Sequence, residues 1–135
     1  IHKAIQYGVR NDHGKSRQSM MPTFGNILQR DQIDQVATYV YSLSNDVDDT
    51  EAVAAGKTVY QQNCVACHGP NAKGNPMLGA PNLRDALWLY GGEKAEIRSQ
   101  IANPKHGKMP AWGERLDPET VKMLAVYVHA LGGGQ

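Results

Sequence analysis

The chain is short of several things that would have named a scaffold. Its 135 residues contain two cysteines, Cys64 and Cys67, far too few for a fold built on disulfides. No charge of one sign dominates: 14 Lys and Arg stand against 13 Asp and Glu, a formal net charge of +1, which gives no reason to expect a nucleic-acid or lipid surface. No apolar run approaches the ~18 residues of a membrane helix, so any membrane attachment is expected to lie outside this sequence. Few segments alternate polar and apolar residues with period two, which makes a sheet an unfavoured prediction. What is present, 41% hydrophobic and 20% charged residues with a mean hydropathy of −0.50, describes a soluble globular chain, one domain or a small domain with part of another. It opens on Ile1 with no initiator Met and is read as trimmed.

The chain repeats itself. At an offset of 88 residues Met21-Pro22-Thr23-Phe24-Gly25 aligns with Met109-Pro110-Ala111-Trp112-Gly113, and Leu28, Ala37, Tyr39, Val40 and Leu43 fall on Leu116, Ala125, Tyr127, Val128 and Leu131 without a gap. Upstream, Ile1 and Ile5 share the spacing of Ile97 and Ile101. Sixteen positions separate Ile5 from Met21, against eight between Ile101 and Met109, so the first copy carries a longer polar loop around Arg10 to Ser19.

Both tails read as helices. Val121, Leu124, Ala125, Val128 and Leu131 form an apolar stripe at helical period, and Ile33, Val36, Ala37, Val40 and Leu43 reproduce it. Asp117 and Pro118 supply an N-cap and a first-turn proline, and Gly132 to Gly134 a stop. A further helix is predicted over Thr50 to Asn63, with Asp48 and Glu51 as a variant capping box, and a shorter one from about Glu93 to Ala102. Gly69 to Asn82, rich in Gly, Pro and Asn, reads as loop. The polar bridge 45–49 is taken as the boundary between residues 1–44, the back half of one unit, and residues 50–135, a complete unit.

Cys64-Val65-Ala66-Cys67-His68 is a C-x-x-C-H sequence, the pattern of covalent haem c attachment. Two thiols at this spacing can each add to one of the two haem vinyl groups, which leaves the next side chain, His68, to reach the iron as proximal ligand. A thioredoxin-like redox pair would want a neighbouring strand–helix–strand pattern and gives no reason for the histidine. A structural zinc site would want four Cys or His ligands, and a disulfide across two residues is geometrically awkward. For the sixth position, Met109, followed by Pro110 and forty-one residues beyond His68, is the first choice. Met77, His106 and His129 are alternatives, and Met123 is expected to pack inside the tail helix.

The order of C-x-x-C-H, Gly79-Ala80-Pro81-Asn82-Leu83, Met-Pro and a terminal helix resembles class I cytochrome c over residues 50–134. That resemblance implies an all-α, haem-wrapping fold, here one complete domain preceded by the C-terminal half of a second. It further implies that the carbonyl of Pro81 accepts the Nδ1–H of His68, and that Gly56 or Tyr60 crosses Tyr127 where the first and last helices meet. Ala55-Gly56-Lys57, Asn63 to Gly69, Gly79 to Leu83, Trp88-Leu89-Tyr90-Gly91-Gly92 and Lys108-Met109-Pro110-Ala111-Trp112 are similar, more narrowly, to the second haem domain of the dihaem subunit of cbb3-type cytochrome c oxidases. Trp88, Tyr90 and Trp112 are implied to line the haem pocket, core packing being the competing reading. Met21 is implied to be the axial ligand of another haem, whose attachment motif, shifted by the repeat, falls about 32 residues before Ile1.

With His68 and Met109 on the iron no open position remains for a substrate, which points to single-electron transfer and away from catalysis. The resemblance implies one haem c on this chain and a second in the intact protein. It implies oxidase catalytic and other cytochrome subunits as partners, with a soluble cytochrome as donor, and no nucleic acid. The expected location is the periplasmic side of the bacterial inner membrane, through an anchor outside this chain. A free dihaem carrier and a haem-based gas sensor are the competing functions.

Overall fold

In the computed structural model, which describes residues 1–132, every regular element is helical. In chain order the α-helices are α1 (His2–Tyr7), α2 (Arg30–Ser42), α3 (Thr50–Asn63), α4 (Val65–His68), α5 (Lys94–Ala102) and α6 (Pro118–Ala130), with 3₁₀ turns at Phe24–Asn26 and Trp112–Glu114. Extended backbone among the described residues is confined to isolated bridges such as Asn75–Ala80. The all-α expectation holds.

Local sequence accounts for the helix ends. Asp117 accepts the Thr120 N–H at 2.9 Å and Pro118 opens α6. Glu93 and Glu96 close a reciprocal capping box at the start of α5, and Gln29 and Gln32 do the same for α2. On α3 the cap is Asp49, which accepts from Ala52 N; Asp48, expected in that role, lies one residue too early to reach the first turn. Of the glycine stop, Gly132 has φ +83, and Gly133 and Gly134 lie outside the described residues.

Two compact units form, Met21–Lys105 and Ile1–Met20 with the stretch from His106 onward. This partition runs differently from the 1–44, 45–49 and 50–135 division drawn from the repeat. In the first unit α2 lies against α3 and α5. Its stripe residues Ile33, Val36, Ala37 and Val40 are buried with Phe24, Val59, Tyr60, Ala72, Ile97 and Ile101 in one core. The α2–α3 crossing is made at Gly56, where a Cβ would stand 2.0 Å from the Gln35 carbonyl oxygen and 2.8 Å from Tyr39 Cβ. The Tyr39 and Tyr60 rings meet beside it, with centroids 5.2 Å apart. The partner expected there, Tyr127, is exposed, and its equivalent Tyr39 makes the contact instead.

In the second unit α1 packs on α6 and on the 3₁₀ turn at Trp112, and Val9 bridges Met109. Here α6 buries Val121, but Leu124 and Val128 remain 37% exposed, and Met123, expected to pack, is also exposed.

Connectivity favours the α2–α3 pairing. Residues 43–49 join these helices, whereas residues 64–117 separate α3 from α6, a loop roughly eight times longer. At about 0.6 kcal/mol per doubling, closing the longer loop costs about 2 kcal/mol more. Because the crossing leaves no room for a methyl group, Gly56→Ala should destabilise the protein by about 1–3 kcal/mol, while Lys57→Ala on the exposed side should change it by less than about 0.5 kcal/mol. Urea unfolding midpoints of the two variants check this.

Candidate functional site

The C-x-x-C-H residues occupy the end of one helix and the single turn that follows. Cys64 caps α3, and its carbonyl accepts the N–H groups of Cys67 at 3.2 Å and His68 at 2.9 Å. Cys64, Cys67 and His68 therefore project from one short stretch of rigid backbone. Gly69 ends the turn at φ +76, and its carbonyl accepts the Tyr60 hydroxyl at 2.7 Å. Tyr60 thus ties the motif to the core from the preceding helix.

His68 is buried, and its Nδ1 lies 3.1 Å from the Pro81 carbonyl oxygen. A carbonyl can only accept, so Nδ1 carries the proton and Nε2 presents the lone pair. Burial lowers the affinity of His68 for a second proton, and the Pro81 bond opposes that shift. The backbone that delivers Pro81 is tightly set: Gly74 N–H donates to the His68 carbonyl at 2.9 Å, and Asn75 and Ala80 exchange two bonds. Gly74 adopts φ +79, and a Cβ there would stand 2.5 Å from the Ala80 oxygen, so only glycine suits the position. Sequence reasoning does not single out Gly74; its place in the Lys73-Gly74-Asn75 turn is the available signal.

The two thiols differ. Cys64 is half-buried, and burial, with Cys67 beside it, pushes its pKa up to about 11; Cys67 is exposed. A reactive redox C-x-x-C lowers the pKa of its attacking thiol, the opposite direction from the shift at Cys64. Among the described residues no group of three or more His, Cys, Asp or Glu side chains is arranged to hold a metal ion. A buried imidazole with Nδ1 engaged, on the same turn as two unpaired thiols, is a donor set that fits a covalently held haem.

Cys64, Val65, Leu83, Trp88 and Met21 are partly buried and pack against the core of the Met21–Lys105 unit. The Trp88 ring lies against Gly92, and the Lys105 ammonium stands 6.0 Å from the Tyr90 ring centre. Met77, Leu87 and Leu89, on the loop after the motif, are exposed. The structure thus gathers Cys64, Cys67, His68, Pro81, Trp88, Tyr90 and Met21 into one unit. Met109 and Trp112 belong to the other. There Met109 exchanges backbone bonds with Val9 and accepts the Asn11 side chain at 2.6 Å, and Trp112 lies beneath the Arg115 guanidinium.

Residues 51–128 match the family described as cytochrome c oxidase, cbb3-type, subunit III. The chain belongs to this family. Among its relatives, the cbb3-type cytochrome c oxidase subunit CcoP of Azospirillum sp. (strain B510) is 51% identical, covering all of this chain and 49% of that protein. Subunit FixP of Bradyrhizobium sp. (strain ORS 278) is 50% identical, and FixP of Azorhizobium caulinodans 49%, over all of this chain and 48% and 46% of those proteins. The chain spans about half the length of the curated relatives it matches. No helix among its described residues is long and apolar enough to cross a membrane.

Tyr60 offers a test of how the motif is anchored. Burial first, then Cys64 and Tyr39, push its pKa up to about 12, above the value near 10 of an unfolded chain. Between these values the unfolded state holds fewer protons than the folded one, so stability falls as pH rises from about 10 to 12. Tyr60→Phe should cost about 1 kcal/mol at neutral pH through the lost bond to Gly69. The gap from the parent should narrow above pH 10, as read by urea unfolding across that range.

Proposed function

We propose that the chain carries single electrons through one haem c, held by Cys64 and Cys67 and ligated by His68, as part of the dihaem subunit of a cbb3-type cytochrome c oxidase. The observation that carries this reading is the His68–Pro81 bond on the turn that also presents both thiols. It fixes the ring plane and tautomer before the group binds and increases the ligand's basicity. When bound, haem c supplies a one-electron ferric/ferrous couple.

Each residue has a definite task in this reading. Cys64, protonated at neutral pH, and Cys67 provide the S–H groups that add across the vinyl carbons. Tyr60 and Gly69 hold the turn against the core. Trp88, Leu83 and the exposed Met77, Leu87 and Leu89 offer apolar surface for the porphyrin edge. A Met-Pro methionine would supply the second protein ligand to the iron, so that oxygen would find no open site here and its reduction would fall to the catalytic subunit. The partners of this reading are that catalytic subunit, the other cytochrome subunits and a soluble cytochrome donor. The second haem of the intact subunit and its membrane anchor belong to the remainder of the protein, and the location is the periplasmic face of the inner membrane.

Co-expression with a cytochrome c maturation system should give an intact mass increased by one haem that survives denaturation. Cys64→Ser with Cys67→Ser should abolish that gain, and either single substitution should shift the pyridine haemochrome band of the remaining adduct. A ferrous protein that ignores carbon monoxide at neutral pH supports electron transfer; ready binding would instead favour a gas sensor.

A further inference from the structure

The repeat offers two closing segments for one C-x-x-C-H turn, and their backbones are interchangeable. Thr23 and Ala111, two residues past each methionine, have φ/ψ of −76/91 and −77/99, and each leads into a three-residue 3₁₀ turn and then a thirteen-residue helix. What differs is the element each segment packs on. A Cβ on Gly25 would stand 2.7 Å from the Ala102 carbonyl oxygen, and a Cβ on Gly113 would stand 2.8 Å from that of Gln6. In the upstream register, Gln6 and Ala102 are themselves equivalents, as Ile5 and Ile101 are. The same close contact is therefore made twice with the partners exchanged: the first copy's turn sits on the second copy's α5, and the second copy's turn sits on the first copy's α1. Likewise Tyr39, not its equivalent Tyr127, meets Tyr60 and Gly56.

From this reciprocal exchange we infer that Met21, not Met109, is the sixth ligand of the haem held by Cys64, Cys67 and His68 in this chain. The inference rests on the haem function proposed for that turn. Met21 packs against the core that includes Tyr60, as Cys64, Val65, Leu83 and Trp88 do, and it opens the segment that covers α3 and α5. Charge selects the same pairing. Arg98 on α5 forms an ion pair with Asp34 on α2, whereas the residue of α6 equivalent to Asp34 is Lys122, which would set two cations together. Between two otherwise matched helices, a like-charge clash in one arrangement acts as a specificity device. The counterpart of the choice is visible on α6. Val36 of α2 is fully buried, yet its equivalent Leu124 is 37% exposed, because the described residues hold one helix of the α3 kind and α2 occupies it.

The test uses the haem-loaded chain with Met21→Leu and Met109→Leu, substitutions that keep volume and remove the sulfur. Met21→Leu should lose the sulfur-to-iron charge-transfer band of the ferric form, bind carbon monoxide when ferrous and lower the reduction potential. Met109→Leu should leave all three as in the parent. The reverse pattern, partial loss in both variants, or no loss in either overturns the assignment. In tyrosine-labelled protein, nuclear Overhauser contacts of the Tyr60 ring should run to Tyr39; contacts to Tyr127 overturn the exchange by a readout independent of haem. A chain with no covalent haem by intact mass overturns the haem function and the ligand role with it, while the Tyr60–Tyr39 contact still reports the packing.

Discussion

The α2–α3 crossing at Gly56 is the contact on which the Met21–Lys105 unit depends. Two backbones approach so closely there that no side chain fits between them. That approach lets Val36, Val40, Val59 and Tyr60 close into a single core with Ile97 and Ile101. Tyr60 then extends the constraint outward, since its hydroxyl holds the Gly69 carbonyl at the end of the C-x-x-C-H turn. Packing in the core and placement of the chemical groups are thus one problem, solved by the helix that ends in Cys64.

The second constraint is the loop that returns Pro81 to His68. A long irregular loop is usually the mobile part of a small domain. This one is pinned at Gly74, at the Asn75–Ala80 bridge and at the Leu83–Ala72 bond, so His68 keeps one tautomer and one orientation. A small domain has little core of its own, and the exposed Met77, Leu87 and Leu89 are the kind of surface a covalently held porphyrin would bury. A rigid imidazole turn and an apolar rim suit a site that changes charge by one electron, because little needs to rearrange when it does.

Much of this is legible in the sequence because it is local. Helical periodicity marks α2 and α6, the Asp117-Pro118 pair marks the start of α6, and C-x-x-C-H, with a chemical reason for each of its residues, marks the turn. The Pro81 contact follows from resemblance. The cap of α3 falls one residue later than expected because Asp48 and Asp49 are equally good capping groups, and a single position decides which oxygen reaches the first turn. Gly74 escapes notice because a glycine in a loop rich in glycine carries no mark of the close contact it makes possible.

Local sequence sets the conformations of the two segments. Both Met-Pro segments turn and enter their helices with nearly the same backbone angles, since residues alike in kind face the same local sterics. It could not determine which copy closes which half, because the two stripes are near duplicates and both satisfy the same apolar face. Long-range packing resolves that choice through two weaker biases: the short 43–49 connection that makes α2 the nearer partner of α3, and the Asp34–Arg98 pair. Each is small beside the hydrophobic burial of a helix stripe, and they can choose because the two stripes repeat the same apolar spacing.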